Sequence, residues 1–225
     1  MSFGRHELER ALEAGLPGVE AHLQMLPPGR EFTDPRQVPA SARESGVLVL
    51  LFPIDGKVHT CLLKRPGHMK VHAGQVGFPG GSREPGDTST LETSLREAHE
   101  ETGVEISILE IVTPLTPLYV PVSGFMIYPY LAWSSQIPRF TPQPSEVEKI
   151  LLYPLPSGTA KLPVTTSLTH TVTGWMEVPS LPFEGEIIWG ATAMILSEVA
   201  GIIALIKGTS QPSGPDEKNA AAFGF

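Results

Sequence analysis

The chain has 225 residues, of which 41% are hydrophobic, and its formal net charge is -8. This length and composition allow one sizeable hydrophobic core with a few appended elements. The negative charge argues against nucleic acid or an anionic membrane surface as the main partner, although a metal ion or a local basic cluster could still bind phosphates. The single cysteine, Cys61, excludes an intramolecular disulfide framework and a cysteine zinc site.

Hydrophobic spacing predicts the elements in chain order. One or two helices are expected within residues 4–25, followed by strands at about 46–53 and 57–65 that are joined by a tight turn at Asp55-Gly56. The later predicted elements are an acidic helix at about 89–102, strands near 107–120, 125–133 and 149–154, a hairpin around Val172 to Val178, and a helix from Gly190 to Ile206.

The two ends of the chain bear on its location and domain organisation. The apolar run from Gly190 to Ile206 is short and is interrupted by Ser197 and Glu198, so it predicts a buried helix rather than a membrane span. The N-terminus is charged and has no apolar signal core, which predicts a cytoplasmic protein. We expect a helical extension at 1–30, one α+β domain at 31–207 and a disordered tail at 208–225.

A glycine turn followed by an acidic helix is the most informative segment. Behind Arg96, three carboxylates fall within five residues and repel one another on a single helical turn: Glu97, Glu100 and Glu101. At about 100° per residue they share an edge that avoids the expected buried stripe of Leu91, Leu95, Ala98 and Thr102. A divalent cation would remove the repulsion, and oxygen-only ligands favour Mg²⁺ or Mn²⁺ over zinc. The competing interpretation is a solvated acidic face with Arg96 as its ion-pair partner.

Two adjoining motifs resemble a known family. The segment REAHEETGV, residues 96–104, resembles the second half of the Nudix hydrolase box, Arg-Glu-apolar-x-Glu-Glu-x-Gly-apolar. The segment LLKRPGHMKVHAGQVGFPGG, residues 62–81, resembles the extension that marks the coenzyme A pyrophosphatase branch of that family. Weaker similarity continues downstream through residues 123–125, 144–147 and 188–192.

The resemblance implies a fold and a reaction. It implies a Nudix fold for residues 31–207, in which a mixed β-sheet lies between helices as an α/β/α sandwich, with the N-terminal helical segment added. It also implies a metal-dependent pyrophosphatase that cleaves coenzyme A and its derivatives to 3′,5′-ADP and 4′-phosphopantetheine. The N-terminal helix could cover the sheet, form a homodimer interface or dock a partner.

Two other functions stay open at this stage. The same chemistry could act on ADP-ribose, NADH or a nucleotide sugar, because substrate choice in this fold depends largely on residues outside the box. A non-catalytic module that senses a nucleotide is the third interpretation. Such a module would be expected to lose box carboxylates, and all three are present here.

The expected metal ligands come from the box and one separate loop. Glu97 and Glu101, one turn apart, are the primary expected ligands, with Glu100 beside them. In the family the backbone carbonyl of the box glycine, Gly81 here, also coordinates metal. Glu146 lies in a separate Pro-Ser-Glu-Val segment and is expected to act as the general base or as an extra ligand.

A positive cluster immediately before the box is expected to bind the substrate. Arg65 and Lys70 are the best phosphate contacts in this cluster. His72 and Gln75 are expected to hold the loop or to contact the diphosphate. Phe125 is expected either to line the pocket or to belong to the core.

Arg96 and Asp87 are expected to have structural roles. Arg96 would orient the box carboxylates through charge-assisted hydrogen bonds. Asp87 replaces the first Glu of the general box and lies nine residues before Arg96, one more than usual, as is typical of the coenzyme A branch. It could bind metal or cap the acidic helix, and we favour capping because an acidic side chain stabilises free N–H groups at a helix start.

Overall fold

The computed structural model describes residues 3–68, 73–157, 160–171 and 174–206. Three predictions concern residues outside these ranges. They are the substrate contacts at Lys70 and His72, the start of the hairpin at Val172 and Thr173, and the tail at 208–225. In chain order the elements are α1 (Arg5–Leu12), α2 (Gly18–Leu23), β1 (Arg43–Ile54), β2 (Lys57–Lys64), β3 (Val76–Gly77), β4 (Gly80–Ser82), α3 (Thr90–Thr102), β5 (Glu110–Pro114), β6 (Leu118–Val120), β7 (Phe125–Trp133), β8 (Lys149–Pro154), β9 (Thr165–Thr171), β10 (Gly174–Phe183), β11 (Glu186–Trp189) and α4 (Gly190–Leu205).

Eight strands form one mixed sheet with β1 near its centre. The order β3-β2-β1-β7-β5 makes the body of the sheet, and β4, β6 and β8 pair with β1, β7 and β2 respectively. β1 and β7 run parallel, from Arg43 opposite Phe125 to Leu51 opposite Trp133, and the other pairs are antiparallel. The hairpin between β1 and β2 turns at Asp55 and Gly56, which have φ values of 47° and 74°, as two-residue hairpin turns of this kind require.

Helices cover both faces of this sheet. Successive β1 side chains alternate between two cores, so that Leu48 and Leu50 pack with Ala98 of α3, while Val49 and Leu51 join the core that contains α4. The predicted α/β/α arrangement, a mixed sheet between helices, is therefore confirmed.

α3 lies directly on the backbone of β1. A Cβ atom at Gly46 would lie 2.0 Å from the carbonyl oxygen of Thr90 and 2.8 Å from the backbone nitrogen of Ser94, so a glycine is required there. Of the predicted buried stripe, Ala98 and Thr102 are fully buried, which confirms half of it. Ser94 is fully buried, whereas Leu91 and Leu95 are only half-buried.

On the opposite face, α4 is buried as predicted and carries the N-terminal helices. Residues 193–199 of α4 are all buried, and α1 and α2 pack against this helix. Inside that contact, Oε2 of Glu198 lies 3.1 Å from Nε2 of His22, and Thr116 Oγ1 donates to Oε1 of Glu198 at 2.6 Å. None of the helices in the described ranges is long and apolar enough to cross a membrane.

A second, three-stranded antiparallel sheet contains β9, β10 and β11 in the order β11-β10-β9. The predicted hairpin is present but longer than expected, because its strands extend over 165–171 and 174–183. Lys64 at the end of β2 pairs with Glu186 of β11 at 2.8 Å and thereby links the two sheets beside the predicted substrate segment.

Candidate active site

Local sequence signals determine where α3 begins and ends. The Ser89 side chain accepts a hydrogen bond from the backbone N–H of Glu92 and caps the N-terminus. Gly103, with φ of 67°, ends the helix and donates its N–H to the carbonyl of His99. The acidic side chains of α3 are therefore fixed on a helix with defined ends.

Asp87 does not occupy the cap position, so the expectation of capping is wrong. Both of its carboxylate oxygens accept hydrogen bonds from Arg96 at 3.0 Å, and it also accepts from the Thr93 hydroxyl and the Glu84 N–H at 2.9 Å. The hydrogen bond from Arg96 is the main reason why the pKa of Asp87 lies well below its usual range. Asp87 thus fixes the turn between β4 and α3 through Arg96.

Arg96 also contacts two of the three box carboxylates. Its Nη1 lies 3.0 Å from Oε1 of Glu97 and 2.9 Å from Oε2 of Glu100, and its Nη2 donates to the Ser82 carbonyl. The ion pair predicted by the solvated-face interpretation is therefore present. It accounts for Glu100, which is 55% exposed, better than for Glu97, which is 14% exposed.

Glu97 lies against the glycine turn. A Cβ atom added to Gly81 would lie 2.4 Å from Oε1 of Glu97, so the carboxylate fills the space that a side chain at Gly81 would need. Burial is the main cause that raises the pKa of Glu97. The Arg96 charge opposes the rise, while Glu100 and Glu146 add to it. The backbone of the turn and this carboxylate are thus in direct contact.

Glu101 is buried, although the helical spacing predicted that it lies on an edge outside the buried stripe. Its side chain is 1% exposed, and its two oxygens accept from Nη2 of Arg65 and from the N–H of Gly80, each at 2.9 Å. Burial raises the pKa of Glu101 to about 7, against the effect of Arg65 and the Gly80 N–H, and the charges of Glu97 and Glu146 raise it further.

The Glu146 loop is attached to the C-terminal end of α3. Within it, Gln143 donates its N–H to the Glu101 carbonyl at 2.9 Å, and Thr141 donates to the Thr102 carbonyl at 2.6 Å. Glu146 is exposed, yet its charge contributes to the raised pKa of both Glu97 and Glu101. Distant parts of the sequence therefore bring this carboxylate beside the box.

Arg65 is directed toward the box rather than toward solvent. It donates to the Gly80 carbonyl at 3.1 Å as well as to Glu101, and its side chain is 21% exposed. Its backbone exchanges hydrogen bonds with Gln75 and Gly74, which close the base of the loop at 65–75. In this arrangement Arg65 orients Glu101, and its predicted phosphate contact stays a prediction. Gln75 is half-buried at the base of the same loop, and its predicted role in holding the loop or contacting the diphosphate also stays a prediction.

Phe125 lies at the first position of β7, opposite Arg43 of β1. The guanidinium carbon of Arg43 is 4.0 Å from the Phe125 ring centroid. The sequence interpretation missed Arg43. Only knowledge that β1 and β7 are parallel neighbours could have placed it beside Phe125.

The donor set fits a hard divalent cation in its chemistry, although the side chains do not converge on one point. Glu97 and Glu100 accept hydrogen bonds from Arg96, and Glu101 accepts one from Arg65. Within the described part of the chain, no three His, Cys, Asp or Glu side chains are arranged to hold an ion. Burial is the main cause of the raised pKa of Glu97 and Glu101, and the crowding of neighbouring carboxylates, Glu146 among them, adds to it. A cation is the species that would relieve this crowding.

Comparison with known proteins identifies the family of this chain. The family model described as "NUDIX domain" matches residues 42–173, more than half of the chain. A relative from Yersinia enterocolitica, named an uncharacterized Nudix hydrolase NudL, is 30% identical over 177 residues, which cover 74% of this chain and 84% of the relative. The Yersinia pestis (strain Pestoides F) protein of the same name is 31% identical over 79% of this chain and 88% of its own.

Solved structures resemble the chain less closely. A C. elegans Ap4A hydrolase is 18% identical over 50% of this chain and 80% of its own, with a TM-score of 0.44. A MutT/nudix family protein from Enterococcus faecalis is 16% identical over 90% of this chain and 75% of its own, with a TM-score of 0.45. At these values neither structure bears on activity. The family match and the NudL relatives show that this chain belongs to the Nudix hydrolase family.

Proposed function

We propose that the chain is a Mg²⁺- or Mn²⁺-dependent diphosphatase that hydrolyses coenzyme A and its derivatives to 3′,5′-ADP and 4′-phosphopantetheine. One observation supports the reaction class above all. Burial beside the Gly80-Gly81 turn raises the pKa of both Glu97 and Glu101, and the charge of Glu146 adds to the rise at both carboxylates. The coenzyme A assignment is supported by the motif at 62–81.

The residues that would hold the cation are Glu97, Glu101 and the Gly81 carbonyl, with Glu100 beside them. A bound divalent ion supplies two effects, a lower pKa for bound water and neutralisation of charge on the phosphoryl oxygens. Arg65 and the Gly80 N–H hold the Glu101 carboxylate in place. Arg96 and Asp87 hold the turn that precedes α3.

Hydrolysis adds one water molecule across the P–O–P link. The water oxygen bonds to one phosphorus, the bridging oxygen leaves with the other phosphate, and the water gives up a proton. We assign acceptance of that proton to Glu146, which is exposed and adjoins the box carboxylates. Lys70, His72 and Gln75 are the proposed contacts of the substrate diphosphate.

Mass spectrometry of the products tests this function. Purified protein with Mg²⁺ or Mn²⁺ is incubated with a mixture of coenzyme A, acetyl-coenzyme A, ADP-ribose, NADH and UDP-glucose. We expect selective formation of 3′,5′-ADP with phosphopantetheine or its acetylated form. Preferential loss of another diphosphate would keep the reaction class but reject the coenzyme A assignment. Absence of turnover would favour a non-catalytic nucleotide-binding module.

A further inference from the structure

We propose that Arg43 recognises a phosphomonoester that the substrate carries in addition to its diphosphate, and so sets the preference for 3′-phosphorylated substrates. This inference rests on the proposed function, whose substrate has a 3′-phosphate on its adenosine ribose. Four observations support it: the strand position of Arg43, its contacts, its unpaired charge and the geometry of its guanidinium group.

Strand register fixes how far Arg43 lies from the glycine turn. Gly46 of β1 pairs with Gly81 of β4, and Ser45 pairs with Ser82. Arg43 lies three residues before Gly46 on the same strand, which corresponds to roughly 10 Å at the rise of an extended chain. A cation at that position is too far along β1 from the proposed metal ligand Gly81 to share the diphosphate, but a second phosphate on the same nucleotide could reach it.

The contacts of Arg43 hold its guanidinium group in one place while leaving it accessible. The group lies over the Phe125 ring, with 4.0 Å between the guanidinium carbon and the ring centroid. Its Nη2 donates to the Ser123 carbonyl at 3.1 Å. The residue itself is exposed. A guanidinium group positioned in this way loses little further freedom when it binds an anion.

Charge distinguishes Arg43 from the other arginines around the box. Arg65 pairs with Glu101, Arg83 with Glu44, and Arg96 with Asp87 and two box glutamates. Arg43 makes no ion pair with any carboxylate among the described residues. The positive charges of the three paired arginines are offset by protein carboxylates, whereas the charge of Arg43 remains available to a ligand.

A planar guanidinium group suits this ligand because two of its N–H groups can bind two phosphate oxygens in parallel. A lysine at the same position would keep the charge but lose both the paired hydrogen bonds and the stacking on Phe125. The structure therefore predicts discrimination between substrates that differ by one phosphomonoester, with no direct part for Arg43 in cleavage of the diphosphate.

The test compares kcat/KM for coenzyme A and dephospho-coenzyme A in the wild type, Arg43→Ala, Arg43→Lys and Lys57→Ala. Lys57 is an exposed cation at the far end of the β1–β2 hairpin, so its replacement controls for the loss of one positive charge. We expect Arg43→Ala to lower the coenzyme A to dephospho-coenzyme A ratio by about 10- to 100-fold, the usual range for a lost charge-assisted hydrogen bond. Arg43→Lys should give an intermediate ratio, and Lys57→Ala an unchanged one.

The ratio does not depend on how much of a variant is folded, because both substrates are measured on one preparation. An unchanged ratio in Arg43→Ala would overturn the proposal. Calorimetric binding of 3′,5′-ADP and 5′-AMP separates this failure from failure of the proposed function. If the wild type does not hydrolyse coenzyme A, a selective loss of 3′,5′-ADP affinity in Arg43→Ala still supports the Arg43 site. Equal affinities for the two nucleotides in wild type and variant reject it.

Discussion

Glu101 and Glu198 are both fully buried glutamates, and they lie in helices on opposite faces of the main sheet. Glu198 is hydrogen-bonded by His22 and by the N–H and hydroxyl of Thr116, which belong to α2 and to the β5–β6 connection. Glu101 is bound by Arg65 and the Gly80 N–H, but two further carboxylates also act on it. Burial of a carboxylate therefore does not identify a reactive site. The neighbouring carboxylates distinguish Glu101 from Glu198, and they support its proposed place at the metal site.

Glu101→Gln should have the largest effect on activity. The amide can still accept the Gly80 hydrogen bond, but it removes a negative charge from the proposed metal site. We expect kcat for coenzyme A to fall on the order of 10³-fold or more, as is typical when one charged group at a reacting centre is lost. Steady-state assays with product quantification measure the fall, and circular dichroism checks the fold. Near-normal activity in a folded variant would refute the ligand assignment.

Glu198→Ala should affect stability rather than chemistry. The change leaves the donors of buried His22 and half-buried Thr116 without their partner, so we expect a loss of about 3 kcal/mol in the free energy of unfolding. Urea denaturation measures the loss. Glu9→Ala, which removes an exposed partner of Arg5, is the control and should cost less than about 1 kcal/mol. If Glu198→Ala were as stable as this control, the buried cluster would not join α2 to α4 energetically.

Metal binding should distinguish the two glutamates without any substrate. At 100 times its dissociation constant, a ligand stabilises the folded state by about 2.7 kcal/mol. We therefore expect Mg²⁺ or Mn²⁺ to raise the melting temperature of the wild type, with reversal by EDTA. The rise should be absent in Glu101→Gln and preserved in Glu198→Gln. Equal rises in both variants would show that the ion binds away from the box.

Asp87→Asn should have a pH-dependent effect that sharpens the role of the Asp87–Arg96 pair. Arg96 lowers the pKa of Asp87 in the folded state, so the pair contributes stability above the unfolded pKa of about 4 and loses it as the pH falls further. The wild type should therefore melt at a higher temperature than Asp87→Asn at pH 7, and the gap should narrow below about pH 4. A gap that stays constant from pH 7 to pH 3 would contradict this linkage.

The fold could be predicted well because local patterns and motif resemblance agreed. The turn at Asp55-Gly56, the acidic helix and the buried C-terminal helix all followed from residue spacing. The extent of the β9–β10 hairpin did not, because its Thr-rich first strand has little hydrophobic alternation. Strand pairing, rather than apolar burial, organises that segment.

The site could be predicted only as a set of residues, not as an arrangement. A helical wheel places Glu101 on the same edge as Glu97 and Glu100, but it contains no information about Arg65 or the Gly80 N–H. Arg65 lies directly after β2 and Gly80 lies in β4, and both contact the buried Glu101. The prediction that Asp87 caps α3 was wrong for the same reason. Its position beside Arg96 depends on the path of a turn, which the sequence does not reveal.

The absence of a side chain at Gly46 has a consequence for how variants of this protein should be interpreted. A substitution there would act as a wedge between β1 and α3, because the added carbon would meet the Thr90 carbonyl. The wedge would shift every acidic group of the helix relative to the Gly80-Gly81 turn at once. Such a variant would lose activity as if a residue of the proposed site had been replaced, although every acidic and basic residue of the protein would be unchanged.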